Sequence, residues 1–221
     1  MARQSFIFVV LGLCMVAAGC SVLAPQPDHS KFYILTPVAD GSVGSALTAA
    51  ASPNSQITLG IGPVSFPDYL RRLPLVTRVE PNRIEISDEK RWAEPLDKSF
   101  TRTLSENLGT MLGTQKIEKY PWPLATKIDY QIEIDVQRFE TTSDGQTQLV
   151  ASWIIRDGRS EKILFGSKTV SSAPAGADQT SASAALSSDL ATMCREIATR
   201  ISALDQHRAP ANSEARATSS S

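Results

Sequence analysis

The chain predicts an α/β fold: a mixed, largely antiparallel sheet with two long helices packed on it, in a single domain. Three patterns carry that prediction. From Lys127 to Phe139 apolar and polar side chains alternate, the period of a half-buried strand. Leu96, Phe100, Leu104, Leu108, Met111 and Leu112 recur at spacings of three and four, the stripe of an amphipathic helix. Leu186, Leu190, Met193, Ile197, Ile201 and Leu204 repeat that stripe near the end. The body between the termini is about 175 residues, long enough to bury a core.

The first element is not part of that body. Arg3 supplies a positive start, Phe6–Ala18 is an uncharged apolar run, and Ala17-Ala18-Gly19 is a small-residue cleavage site before Cys20. This is the pattern of a secretory signal peptide over residues 1–19. The run is too short to cross a bilayer, which takes about 20 residues. Cysteine after small residues resembles a bacterial lipobox, with cleavage between Gly19 and Cys20 and acylation of the Cys20 thiol. Ala17 departs from it, since leucine is favoured there. Residues 20–30, with Pro25 and Pro27, read as a lipidated tether.

The body follows as residues 31–205. Lys31-Phe32-Tyr33-Ile34-Leu35 is a first strand, stopped by Pro37. Residues 39–55, rich in Ala, Gly, Ser and Asn, offer little to bury and read as a surface loop. Gln56–Val64 alternates, and Gly62-Pro63 is expected to end its regularity. Pro67 and Pro74 bracket a short turn or 3₁₀ piece. Leu75–Val79 and Arg83–Ile86 predict a hairpin, with a loop wider than two residues because Pro81 forbids the tight primed turns.

Pro95 opens the first long helix and Gly113 closes it. Tyr120-Pro121-Trp122-Pro123 is a rigid connector. In the long strand Ile128, Tyr130, Ile132, Ile134 and Val136 face one way, and Asp129, Gln131, Glu133, Asp135 and Gln137 the other. That polar side is expected to be wet or to line a groove. After a turn at 143–146, Leu149, Ala151, Trp153 and Ile155 make an antiparallel partner. Asp157-Gly158-Arg159 turns again, and Lys162–Val170 is the next strand. Residues 206–221 are low-complexity and read as a disordered tail.

Composition narrows the chemistry. Losing Arg3 takes the formal charge from −1 to −2, and no basic stripe tracks phosphates, so nucleic acid is not expected as a partner. Of the three cysteines, Cys14 leaves with the signal peptide and Cys20 takes the lipid, so Cys194 stays alone without a disulfide. One free Cys and two His do not make a zinc site. No cofactor is expected beyond the covalent lipid. His29 lies in the tether and His207 in the tail, so no Ser-His-Asp or Cys-His arrangement forms and no catalytic residue is assigned. Asp129, Glu133 and Asp135 read as a solvated strand face, and Cys194 as a buried structural thiol.

Two clusters stand out as partner contacts. One is Asp68, Tyr69, Arg71 and Arg72, with Arg78 nearby, since Tyr and Arg are favoured interface anchors. Its plainer reading is a surface turn with Tyr69 and Leu70 packed inward. The other is Arg91-Trp92 before the first helix with Tyr120-Pro121-Trp122 after it, read as a sandwich for a lipid or a partner, against a plainer reading as aromatic plugs at the helix ends.

The same residues carry a resemblance. After the lipobox come Phe32-Tyr33-Ile34-Leu35, Ile61-Gly62-Pro63-Val64, Phe66-Pro67-Asp68-Tyr69-Leu70 and Val76-Thr77-Arg78. Then follow Arg91-Trp92-Ala93-Glu94-Pro95-Leu96, Tyr120-Pro121-Trp122, Arg138-Phe139-Glu140 and Leu149-Val150-Ala151-Ser152-Trp153. In order and spacing, over about residues 20–205, this resembles the PqiC/YmbA-like family of ABC-type transport auxiliary lipoproteins. The Ala-rich loop and the tail lie outside the pattern.

The resemblance implies a non-enzymatic, lipid-anchored protein on the periplasmic face of a Gram-negative outer membrane. It implies work beside an MCE-domain protein and an inner-membrane component that move lipid between membranes. Ser21, rather than Asp, after the cysteine fits export to the outer membrane. A ring-like homo-oligomer suits a protein docking on a multi-subunit tube. Two other classes are weighed against this. A lipid carrier would line a pocket with Trp92, Trp122 and Trp153. An envelope hydrolase would lose activity in Glu133→Gln.

Overall fold

The long alternating strand lies at the centre of the sheet. In the computed structural model, residues 28–37 and 56–218 are described, with side chains through Arg208. The signal peptide, Cys20, most of the tether and the Ala-rich stretch lie outside them. The strands are β1 (Lys31–Tyr33), β2 (Leu59–Ser65), β3 (Pro74–Glu80), β4 (Arg83–Trp92), β5 (Ile117–Lys119), β6 (Tyr130–Thr142), β7 (Thr147–Asp157) and β8 (Ile163–Ser171). The helices are α1 (Leu96–Leu112) and α2 (Gln179–Thr218), with a 3₁₀ turn at Asp68–Leu70.

On one side β6 pairs antiparallel with β7, and β7 with β8. On the other, β2 pairs parallel with the first half of β6 and β3 with its last two residues. The short β5 and β1 add in parallel to β2 and β4. The fold is mixed α/β as expected, and its longest ladders are antiparallel. The described residues from Lys31 onward form one compact unit.

The core lies between one face of the sheet and the two helices. Tyr130, Ile132, Ile134 and Val136 are buried there with Leu149, Ala151, Trp153 and Ile155. The predicted stripes of both helices meet them, Leu204 alone being half-buried. Phe100 is fully buried, with Phe66 and Phe139 edge-on to its ring at 5.2 and 5.3 Å. Phe139 faces inward only because a register shift at Gln137 adds one residue to β6. Gly113 ends α1 at φ 63°, a left-handed conformation that glycine adopts without steric cost.

One local expectation holds and two are corrected. The regularity of β2 does break at Gly62-Pro63, as a register shift between Ile61 and Val64, and the strand then runs on to Ser65. The β3–β4 turn is two residues, Pro81 and Asn82, because a second shift between Arg78 and Glu80 takes up the mismatch. The last helix does not stop at Asp205, and helical backbone continues to Thr218. Contacts hold that extension as far as Arg208. Its Nη2 is 3.4 Å from Asp157 Oδ2 and its guanidinium lies over the Tyr130 ring, whose hydroxyl bonds Asp205.

Candidate functional site

The residues singled out in the sequence fall into two places. The first is behind the 3₁₀ turn. Asp68, Arg71 and Arg72 are exposed, and Asp68 and Arg71 make a surface ion pair at 3.7 Å. Tyr69 turns inward to a network the sequence reading missed. Arg78 Nε donates to Glu140 Oε1, Arg78 Nη2 donates to the Tyr69 hydroxyl at 3.3 Å, and Arg78 Nη1 donates to the Pro81 carbonyl at 2.9 Å. The Glu140 side chain is fully buried, at the end of β6 beside β3. No local sequence signal places it there, because the side-chain parity of β6 inverts at Gln137 only through its pairing with β7. Burial pushes the Tyr69 hydroxyl up to about 12, with Glu140 adding to the effect and Arg78 opposing it.

The second place is an open cleft of about 600 Å³ between β2 and the first turns of α1. Three of the sequence pieces meet in it: Ile61–Val64, Glu94 and Tyr120. Tyr120 N donates to the Ile61 carbonyl at 2.9 Å. Gly62 sits at φ 116°, where an added Cβ would lie 2.8 Å from Tyr120 Cβ, so only glycine fits. The Gly62-Pro63 and Tyr120-Pro121 peptides are both cis. Tyr120 is 58% exposed at the rim, and its ring meets Trp122 edge-on at 5.5 Å. Trp122 in turn closes over Gly60.

The cleft wall is organised by Arg102. Its guanidinium bonds Glu94 at 2.9 and 3.2 Å, Glu106 at 3.4 Å and the carbonyl of buried Leu35 at 3.2 Å. The Arg102 hydrogen bond holds the Glu94 carboxyl below the usual range. Lys98 and Lys119 line the same cleft.

The aromatic residues proposed as contacts separate. Trp92 is 4% exposed and packs in the core beside Leu70, Leu75 and Phe139, so it is the plug at the helix end and offers a partner no surface. Tyr120 is exposed and Trp122 is half-buried. Trp92 on β4 and Trp153 on β7 are separated by β3 and β6, and Trp122 covers Gly60, so the three do not line one pocket.

The remaining chemistry is structural. Cys194 is fully buried beside Asn107, and burial pushes its thiol up to about 12. Asp189 on α2 accepts from Thr147 and Ser171 at 2.5 and 2.6 Å, pinning the helix to the start of β7 and the end of β8. Glu133 pairs with Arg156 at 2.6 Å on the polar face of the sheet. Among the described residues no group of three His, Cys, Asp or Glu could hold a metal ion. Nor is any described helix long and apolar enough to cross a membrane.

Residues 42–198 match the family model described as the ABC-type transport auxiliary lipoprotein component. The chain belongs to this family. The match begins inside the Ala-rich stretch, which the resemblance had set aside, and spans both clusters. The intermembrane transport lipoprotein PqiC of Escherichia coli is 28% identical over 138 residues, 62% of this chain and 67% of that one. The Shigella flexneri protein of the same name matches equally. Among solved structures, a protein from Xanthomonas campestris shares the fold, with TM-score 0.61 and 15% identity over 80% of this chain and 99% of that one. An uncharacterized protein aligns at TM-score 0.61 and 20% identity, over 78% of this chain and 98% of its own.

Proposed function

We propose that this protein is a non-catalytic, lipid-anchored subunit of an MCE-type intermembrane lipid-transport system. Acylated Cys20 anchors it to the outer membrane, facing the periplasm, and its role supports envelope integrity. It works beside an MCE-domain periplasmic protein and an inner-membrane transport component, as a ring-like homo-oligomer. The observation that carries this reading is the family match over residues 42–198, with a relative named as an intermembrane transport lipoprotein. Exposed Asp68, Arg71, Arg72 and Tyr120 are the contacts assigned to the partner.

A crosslinked pull-down of the intact lipoprotein from its own envelope, read by mass spectrometry, tests this. Recovery of an MCE-domain protein is the expected result. Recovery of bound lipid without any such protein replaces the reading with a carrier. The anchor has its own test. Cys20→Ala leaves the chain uncut or in the soluble periplasm, and a processed, membrane-bound variant refutes acylation.

A further inference from the structure

One edge of the sheet is open. Among the described residues β8 pairs with β7 and with no other strand. Its nine residues contain no proline, and Lys168 is its one charged side chain. An edge of this length presents a row of unpaired N–H and C=O groups, the template for adding a further strand.

The side chains beside that edge form a groove. Phe165, Ser167 and Thr169 are in register with Ile155, Trp153 and Ala151, which are buried under α2, so they point to the helix side. Between β8 and α2 lies a groove of about 480 Å³, with Trp153, Phe165 and Ser167 on one wall and Arg195, Thr199 and Arg200 on the other. Its floor is fixed by hydrogen bonds. Trp153 Nε1 donates to Thr169 Oγ1 at 2.9 Å, and the Thr169 hydroxyl donates to Glu196. That bond engages Glu196 Oε2, and the groove sets two arginines against this one carboxylate. The Arg200 guanidinium lies 3.8 Å from the centre of the Phe165 ring, and Arg195 Nη1 bonds the Thr192 hydroxyl. Among the described residues neither arginine is within ion-pair distance of a carboxylate.

We propose that this groove is a strand-addition site for an extended, acidic segment of a partner polypeptide. The segment's main chain continues the β8 ladder, at a strand spacing of about 4.8 Å. Alternate side chains then enter the groove. An apolar one packs against half-buried Phe165, and a carboxylate pairs with Arg195 and Arg200, whose planar donors suit bidentate contact. A basic wall opposite an aromatic one selects against basic segments and against a purely apolar ligand. The proposal goes beyond the transport reading, because it states the chemistry of the occupant whichever assembly supplies it.

The test places the photo-crosslinking residue p-benzoylphenylalanine at exposed Ser167 of the full chain in its own envelope. The crosslinked peptide is sequenced by mass spectrometry. The expected product is an extended segment of another polypeptide that carries Asp or Glu beside the crosslink. Arg195→Glu with Arg200→Glu lowers its yield at least about tenfold, while Arg138→Glu on the opposite face leaves it unchanged. Arg195→Gln with Arg200→Gln keeps most of the side-chain length and, with an unfolding curve matching the parent, separates lost charge from lost fold. Crosslinks to a second copy, to lipid or to nothing overturn the proposal, as does a yield that ignores the charge changes. Recovery of transport components in the pull-down with no product at Ser167 keeps the transport reading and overturns this one.

Discussion

Arg78 and Arg102 do the same job in different surroundings. Each joins segments far apart in sequence through a glutamate and a backbone carbonyl. Arg78 connects β3 to the end of β6, where the Glu140 side chain is fully buried and its Oε2 has no partner among the described residues. Arg102 connects α1 to Glu94 and Leu35 at the rim of the cleft, where arginine and glutamate side chains are 30% and 33% exposed. Water competes for both partners of the second pair, whereas in the first it reaches the arginine, 16% exposed, and not the glutamate. An ion pair in the interior is costly to assemble and more costly to break, because the surviving charge cannot be resolvated.

Arg78→Ala breaks the contrast most strongly. It leaves Glu140 buried without its cation and is expected to cost about 3–5 kcal/mol in urea unfolding. Adding Glu140→Ala removes the orphaned charge and recovers a large part of that loss. A double variant no more stable than the single one would show that packing, and not charge, dominates at this site.

Arg102→Met keeps the stem and removes the ion pairs, with an expected cost of about 1 kcal/mol that shrinks in high salt. A loss as large as that of Arg78→Ala would place the two sites in one class.

The two pairs also differ in pH response. Tyr69, bonded to Arg78, has its folded pKa raised to about 12, chiefly by burial. Its neutral form is therefore favoured by folding, and its contribution is present below the ordinary phenol value of about 10 and lost as pH rises from about 10 to about 12. The difference in urea midpoint between the parent and Tyr69→Phe is expected to move over that window, and tyrosinate absorbance to lose its latest step.

The smallest effect is at the rim. Glu94 is lowered by its bond to Arg102, so its contribution is present above the ordinary carboxylate range and lost as pH falls through the lowered value. Acid unfolding of Arg102→Met is expected to lack this step, and an acid limb unchanged from the parent would contradict the pairing.

Legibility in the sequence followed periodicity. The stripe of α1 and the alternation of β6 and β7 report burial on one face, and both survive folding because a whole element shares the same neighbour. The candidate site was half legible. Tyr69, Arg78 and Tyr120 were picked out by residue type and spacing, but Glu140 and Arg102 were not. Their partners lie 62 residues away for Arg78–Glu140 and 67 for Arg102–Leu35, and no local pattern encodes such separations. Register shifts at Gln137 and before Glu80 were equally hidden, since each depends on which strand lies alongside.

The sequence by itself determined the element types, the inward faces, the inert buried Cys194 and the family. Tertiary structure alone decided that the Ile61–Val64, Glu94 and Tyr120 pieces converge on one cleft, that Trp92 is core, and that β8 keeps a free edge beside two arginines. The reason is physical. Side-chain periodicity is written along the chain, whereas strand order, register and the meeting of distant charges are set by how the sheet closes against its helices.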